Sequence, residues 1–366
     1  MSELLQMTFD GEDMNVITDS TFFLYEEKLT GSAVFMLKVV SPDWKRWEKI
    51  VTSPEPYDAQ IQWGTQGEAG KVEWCDWRKI LCSDVEYRLS LDAVELLIQG
   101  TCAGFRLSER ISKLTFIDMA ISDMVKELAD EHDMDSELEE TAGKFSFRQC
   151  SLPDAQFISQ VLLPNAVNAS GEADYKFFID NGDTVVFSTL KRLKRTRKKL
   201  GPFVAPTPLN NPGYNVATLD VSYRRSSQNV ADSLYNEVRG FDWRKKELLL
   251  FDANEDTVST SKLAKQSLTV PKFPSKILLS GDATQKELEQ CSTAAWSRAS
   301  KGLFRTSITF PVITDAKVGG LVNLAVKDQR GEDYWASGDW LIYGIRQRVR
   351  PKDSDTTLLL ERRTYY

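Results

Sequence analysis

Histidine is nearly missing. His132 is the only one in 366 residues, and it stands in Asp130-Glu131-His132-Asp133 at the expected end of a helix, where carboxylates and the helix C-terminus would stabilise a charged imidazole. A base needs a positioned nucleophile or metal beside it, and the neighbouring sequence offers neither. Nucleophilic hydrolysis through a Ser-His-Asp or Cys-His centre is therefore disfavoured, and His132 reads as an exposed helix-end residue.

Cysteine is scarce as well. The five present (Cys75, Cys82, Cys102, Cys150, Cys291) are odd in number and scattered, with no Cys-x-x-Cys pair. Disulfides or a zinc site would need tighter spacing or an oxidising compartment, so they read as buried free thiols. No apolar run of about 18 residues is present that could span a bilayer. The acidic start MSELLQMTFDGEDMNV lacks the basic-then-apolar pattern of a secretory signal, and folding in a reducing cytosol is expected.

Glycine-rich phosphate loops are also missing. Positive charge is in deficit, 46 Lys and Arg against 53 Asp and Glu for a net −7, which disfavours general nucleic-acid binding because affinity for phosphate backbones comes mainly from cations. These absences leave no catalytic residue, no cofactor and no metal to assign. Carboxylate pairs such as Glu139-Glu140 could cut a glycosidic bond only at a suitable separation in space, and such pairs usually face water. The nine tryptophans could stack on sugars, although core and interface packing is their commoner use.

What is present is alternation. From Met1 to about Leu107 the segments Phe22–Tyr25, Val34–Val40, Ala59–Trp63 and Tyr87–Leu91 are strand-like, punctuated by Gly31-Ser32, Pro54-Glu55-Pro56 and Gly64 to Gly70, as in a sandwich or barrel. The texture changes at about Ser108. Thr115-x-x-Asp118 suggests a helix start, with Ile117, Ile121, Met124, Val125 and Leu128 on one face. A second helix is expected after Pro153, capped by Asp154, with Phe157, Ile158, Val161 and Leu162 apolar and Pro164 at its end. The stretch FFIDNGDTVVF from Phe177 to Phe187 then reads as a hairpin, because Asn181-Gly182 tolerates the positive φ that a tight antiparallel turn requires.

The run KRLKRTRKKL, residues 191–200, holds seven Lys or Arg in ten positions and opens a Pro/Gly-rich passage. Self-repulsion and proline discourage packing, so residues 191–213 read as a linker; the alternative is a cationic tether for an acidic neighbour. Lys191, Arg192, Lys194, Arg195, Arg197, Lys198 and Lys199 are the candidate partner contacts. Beyond it, Val216–Arg224 and Leu234–Arg239 look like strands. Thr284-x-x-Glu287 opens a helix carrying Leu288, Cys291, Ala295 and Ala299. Leu303–Phe310, Val318–Val326, Asp339–Val349 and Thr357–Arg362 return to β texture, with Ser337-Gly338-Asp339 as a turn between Trp335 and Trp340.

The expected fold is α+β and mainly β. Its divisions are a β unit at 1–107, an α+β insert at 108–190, the linker at 191–213, a second β unit at 214–245 and 302–366, and a mixed insert with one helix at 246–301.

The middle segment resembles a known family. Ile121, Leu128-Ala129, the strand Phe145-Ser146-Phe147-Arg148 ending in Gln149, the turn Pro153-Asp154, Phe157-Ile158 and the hairpin Tyr175–Phe187 look like the insert domain of baseplate hub proteins. These belong to contractile phage tails and their relatives, the late-control protein D family and the hub part of type VI secretion spike proteins. Gly319-Gly320-Leu321-Val322 through Ser337-Gly338-Asp339-Trp340-Leu341-Ile342-Tyr343-Gly344-Ile345 resembles that family's closing β unit, with Gln347 near a position where many members carry His.

The resemblance implies two tail-tube-like antiparallel β-barrels interrupted by inserts, and a homotrimer whose six barrels adapt a sixfold tail tube to a threefold central spike. It implies a non-enzymatic virion structural protein of the tail baseplate, assembled in the host cytoplasm. Its partners would be tube, spike and baseplate wedge proteins, with the tape-measure protein as a further one. DNA would pass through an acidic-lined channel without being specifically bound. The Asn181-Gly182 hairpin would then brace a neighbouring subunit or another baseplate protein. A tail-associated peptidoglycan hydrolase or a glycan-binding tail protein is the alternative.

Overall fold

The computed structural model describes residues 4–9, 12–14, 20–29, 31–41, 43–53, 56–66, 71–90, 92–149, 151–172, 174–204, 218–223, 237–242, 246–252, 276–282, 304–327, 336–350 and 354–362. The first unit holds strands β1 (Leu4–Phe9), β2 (Glu12–Met14), β3 (Ser20–Lys28) and β4 (Val34–Ser41), helix α1 (Trp44–Thr52), then β5 (Tyr57–Gln66), β6 (Val72–Trp74), β7 (Arg78–Leu89) and β8 (Val94–Cys102). The insert follows with α2 (Arg106–Glu109), β9 (Thr115–Met119), α3 (Ile121–Asp130), β10 (Asp135–Leu138) and β11 (Phe145–Arg148). It continues with α4 (Asp154–Phe157), a π-helical turn Ile158–Leu162, α5 (Leu163–Asn165), β12 (Tyr175–Asp180) and β13 (Thr184–Thr189). Helix α6 (Leu190–Thr196) leads to β14 (Lys199–Val204), β15 (Thr218–Tyr223), β16 (Glu237–Asp242), β17 (Glu247–Asp252) and β18 (Lys276–Asp282). The chain closes with β19 (Phe304–Phe310), β20 (Leu321–Ala325), β21 (Gly338–Val349) and β22 (Asp355–Arg362). The protein is α+β and mainly β.

Among the described residues the expected pair of barrels is not seen as closed sheets. Their strands share one open sheet in the order β15-β19-β22-β21-β3-β4-β8-β7-β5-β1-β2, with β6 added to β5 and β14-β20 added to β21. The join is the antiparallel pairing of β21 with β3, in which Gln347 stands opposite Tyr25 and Arg348 opposite Leu24.

Sidedness is continuous across that join. Phe23, Tyr25, Leu37, Val39, Leu96, Ile98, Ile345, Leu358 and Leu360 are buried on one face. Their sequence neighbours Leu24, Met36, Leu97 and Thr357 are half-buried, and Lys28, Lys38, Glu95 and Arg346 are exposed. This is the period-2 pattern of an antiparallel sheet with one wet side. Charges on that side are mixed. Glu26 pairs with Lys28 at 2.5 Å and with Arg346 at 2.6 Å, and Arg348 donates to Asp355 at 2.8 Å.

Helix α1 escapes the sequence reading, because WKRWEKIVT offers few apolar positions. Asp43 caps it by accepting from the Lys45 amide at 3.1 Å. Its apolar face buries Trp47 completely and Ile50 nearly so, and full burial of a Trp contributes roughly 3 kcal/mol.

Several expectations are corrected. Residues 115–119 form β9, not the start of a helix: they pair with β11, Asp118 turns to φ 54°, and α3 begins at Ile121. Ile117 is consequently 72% exposed, whereas Ile121, Met124, Val125 and Leu128 are buried as the spacing predicts. Asp154 does not cap the second helix; Pro153 holds that position, and the Asp154 carboxylate turns into the core. The run 191–204 is not a linker, since it forms α6 and β14, with β14 paired in parallel to β20. Strand β16, expected in the second β unit, pairs instead with β17 and β18 in a separate small sheet. The helix expected from Thr284, residues 205–213, Trp335, Cys150 and Cys291 lie outside the described residues.

Candidate functional site: the joint between the units

The turn of the β12–β13 hairpin has Asn181 at φ 52° and Gly182 at φ 86°, as its Asn-Gly sequence requires. Its tip plugs into the first β unit of its own chain. The Lys79 amide donates to the Asn181 carbonyl at 2.9 Å, the Gly104 amide donates to the Gly182 carbonyl at 2.9 Å, and Lys79 Nζ pairs with Asp183 at 2.5 Å. The body of the hairpin is shared between two hydrophobic cores. Tyr175, Ile179, Val185 and Phe187 pack with the first unit and the insert helices, while Phe178 and Val186 pack with the second unit. The expectation of an element bracing a neighbouring subunit gives way to one that locks three parts of a single chain.

Charges are buried beneath this hairpin. Arg197, between α6 and β14, donates to Asp180 at 2.7 Å and to Glu137 at 3.0 Å, with its guanidinium 5.6 Å from the Phe178 ring centre. Nearby, Arg78 lies 3.7 Å from the Glu27 carboxylate and 5.3 Å from the centre of the Trp63 ring, and donates to the Asp76 carbonyl at 2.8 Å. The Tyr25 hydroxyl donates to Glu27 at 3.1 Å. Burial would lower the Arg78 pKa, but Glu27, Tyr25 and their neighbours hold it above its ordinary value. The Asn168 amide and the Ser188 and Thr189 hydroxyls donate to Glu139 at 3.0, 3.1 and 2.7 Å, so Glu139 fastens the far end of the hairpin.

His132 is not exposed. Its side chain is 8% accessible, and its Nε2 lies 2.8 Å from the fully buried Asp154, which also accepts from Gln149 Nε2 at 2.6 Å. This triad ties the C-terminal end of α3 to the start of α4. It accounts for the Gln, Asp and His found on separate sequence segments. Gln347, noted in place of a family His, is buried at the β21–β3 join and accepts from the Thr356 hydroxyl at 2.6 Å.

The basic run serves mainly inside the chain. Lys191 pairs with Glu172 and Lys198 with Asp315, Lys199 pairs with Asp339 at 2.7 Å, and Arg192 donates to the Leu138 carbonyl at 3.0 Å. Arg197 is buried, Lys194 lies near enough to Asp339 to stabilise its charge, and Arg195 is exposed. The signal that sequence reading lacked was the position of the partners, which lie as far away as residues 315 and 339.

Beside the hairpin tip a cleft of about 540 Å³ is lined by Asp58, Lys79, Arg106, His132 and Asp183 among others. Arg106 pairs with Asp58 at 2.7 Å across it. No cluster of three or more metal-ligating side chains occurs among the described residues.

No family model and no curated protein matches the chain. Solved structures do. A tail protein from Neisseria meningitidis MC58 aligns with a TM-score of 0.64 at 10% identity, over 99% of this chain and 97% of that one. The 43 kDa tail protein of prophage MuSo2 from Shewanella oneidensis aligns with a TM-score of 0.64 at 11% identity, over 99% and 98%. The E. coli c3393 protein, a type VI secretion component described as structurally similar to the T4 bacteriophage tail proteins gp27 and gp5, aligns with a TM-score of 0.54 at 11% identity, over 98% and 78%. The fold is thus that of phage tail proteins and of a type VI secretion component, along nearly the whole chain. The hub resemblance read from residues 117–187 and 319–345 holds at the level of fold.

Proposed function

We propose that the chain is a structural hub of a phage baseplate: a trimeric ring that adapts a sixfold tail tube to a threefold spike and forms part of the DNA channel. In this reading residues 1–107 are one tube-like unit, strands β14, β15 and β19 to β22 are the other, and residues 108–190 are the insert. The observation that carries it is the β21–β3 join, which sets the two units side by side in one sheet with one wet face.

The run β15-β19-β22-β21-β3-β4-β8-β7 contains eight strands and is antiparallel throughout. An even run can be repeated end to end without a parallel pair, so β7 of one copy can lie against β15 of the next. Among the described residues β5 pairs β7 only as far as Cys82, and beyond it Leu89 is 60% exposed. A strand edge with no neighbour among the described residues and an exposed leucine on it suits a partner strand. A bore walled by the wet face would carry paired charges instead of the acidic lining expected from net charge, and would offer DNA no continuous cationic track.

Neighbouring tube, spike, wedge and tape-measure proteins are the proposed partners, with the exposed side chains Arg195 and Lys194 among candidate contacts, and the tail of a virion the proposed location. No catalytic residue is proposed. The solution mass and electron-microscope images of the purified chain test the reading. A trimer mass and rings are expected, both lost in Tyr87→Glu/Leu89→Glu. A strictly monomeric chain at high concentration, with no ring in the presence of tube or spike protein, would overturn it.

A further inference from the structure

The joint beneath the hairpin contains an acid whose compensation is incomplete. Glu27 is 3% exposed on β3, beside the strand that joins the two β units. Among the described residues its Oε1 has no hydrogen-bond donor, and the Nε of Arg78 has no acceptor within bonding distance. The closest approach of that pair, 3.7 Å, is longer than a charge-assisted hydrogen bond.

The second cation, Arg197, is already divided between Asp180 and Glu137. The groups around Glu27 are Tyr25 on its own strand, Arg78 on β7, Asp180 on β12 and Arg197 after α6. Glu137 on β10 is reached through Arg197, and the thiols of Cys75 and Cys102 lie close to Arg78 and Tyr25. Across the join stands Ile345, which offers no polar group.

From this arrangement we infer that Glu27 is a proton-loaded latch: it takes up a proton as the solution is acidified, and its protonation tightens the joint between the hairpin and the two β units. A neutral carboxyl keeps its bond to the Tyr25 hydroxyl and no longer leaves charge on an oxygen without a donor. The ionised form leaves Oε1 unsatisfied in a buried site, which costs stability, and that cost is only partly offset by Arg78 at 3.7 Å and by Arg197, whose bonds go to Asp180 and Glu137.

The direction of the Glu27 titration agrees. Burial pushes it above the ordinary 4.5, more strongly than Arg78 pulls it down; Asp180 adds to the rise, and the Tyr25 hydroxyl and Arg197 oppose it. A carboxyl raised in the folded state contributes stability that is fully present below its unfolded pKa and is lost as pH rises through the folded value. The latch is therefore tight in acid and loose in base, the reverse of the ordinary paired carboxylate. It does not depend on whether the chain forms a ring.

Thermal unfolding and hydrogen exchange of the full chain and of Glu27→Gln test this at about pH 5 and about pH 8. The carboxamide mimics the protonated acid. At the acid pH the two proteins should differ less in unfolding temperature than at the alkaline pH, where the variant should be clearly the more stable and its amides at 175–189 should exchange at least about threefold more slowly. If Glu27→Gln is less stable than wild type at the alkaline pH, or fails to fold, ionised Glu27 is required and the proposal falls. The wild-type chain gives an independent reading by infrared difference spectroscopy: a protonated-carboxyl band appears between the two pH values while the fold is unchanged, and its absence would equally overturn the proposal.

Discussion

The Asn181 carbonyl accepts the Lys79 amide at 2.9 Å, a backbone bond between the tip of the insert hairpin and a strand of the first β unit 102 positions earlier in the chain. Beside it, a Cβ at Gly182 would lie 2.0 Å from the Lys79 carbonyl oxygen. The hairpin can dock only because that position is glycine, for two reasons at once: the backbone is in the left-handed region and the space is filled.

Gly182→Val should therefore destabilise the chain by about 3 kcal/mol or more, combining left-handed strain with a backbone clash. Gly171→Val has a similar φ of 80° but open space around it, and should cost less. Urea unfolding midpoints of the two variants measure the difference.

Arg197→Met removes the shared partner of Asp180 and Glu137. Asp180 is itself buried, so the loss should cost about 3–5 kcal/mol. Arg195→Met, two positions earlier and exposed, should change stability by less than about 0.5 kcal/mol. Equal effects of the two substitutions would mean that the run acts as a solvated tether after all.

Acid should loosen the far end of the hairpin. Burial acts to raise Glu139, but the Asn168 amide, the Thr189 backbone and hydroxyl, and the Ser188 hydroxyl together hold it below its ordinary value. A depressed carboxyl contributes stability present above the unfolded pKa and lost as pH falls through the folded one. Hydrogen exchange at Ser188 and Thr189 should rise in that acid window in wild type and be high at all pH in Glu139→Gln. This is opposite in sign to the behaviour of Glu27, so the two ends of one hairpin respond to acid in opposite senses.

Burial pushes the Cys75 thiol up to about 11 and the Cys82 thiol up to about 12. At about pH 8 both remain neutral and shielded, so alkylation of the native chain should leave them unmodified while denaturant exposes them. Mass spectrometry of alkylated peptides checks this, and labelling of either residue in the native state would contradict the buried geometry.

Sequence alone revealed those parts of the fold whose causes are local. The hairpin followed from Asn181-Gly182, α3 from the spacing of Ile121, Met124, Val125 and Leu128, and the late strands from alternation such as Thr306, Ile308 and Phe310. The joint was hidden because its partners are distant. Seven cations in ten positions repel one another in an isolated segment, and nothing local reveals that Glu172, Asp315 and Asp339 come to meet them. His132 looked exposed because Asp154, which buries it, is 22 positions away. Helix α1 was concealed by its charges, and β9 by an apparent capping pattern that Asp118 breaks with a left-handed turn.

The pairing of β3 with β21 also sets a timetable. The ribosome releases β3 hundreds of residues before β21 exists, so an emerging chain carries an unsatisfied strand flank, with Tyr25 and Glu27 beside it, through most of its synthesis. Long-range pairing of this kind slows folding and leaves a sticky intermediate. Truncation anywhere before residue 338 would leave that flank permanently bare, and such fragments should precipitate or bind chaperones where the 366-residue chain stays dispersed.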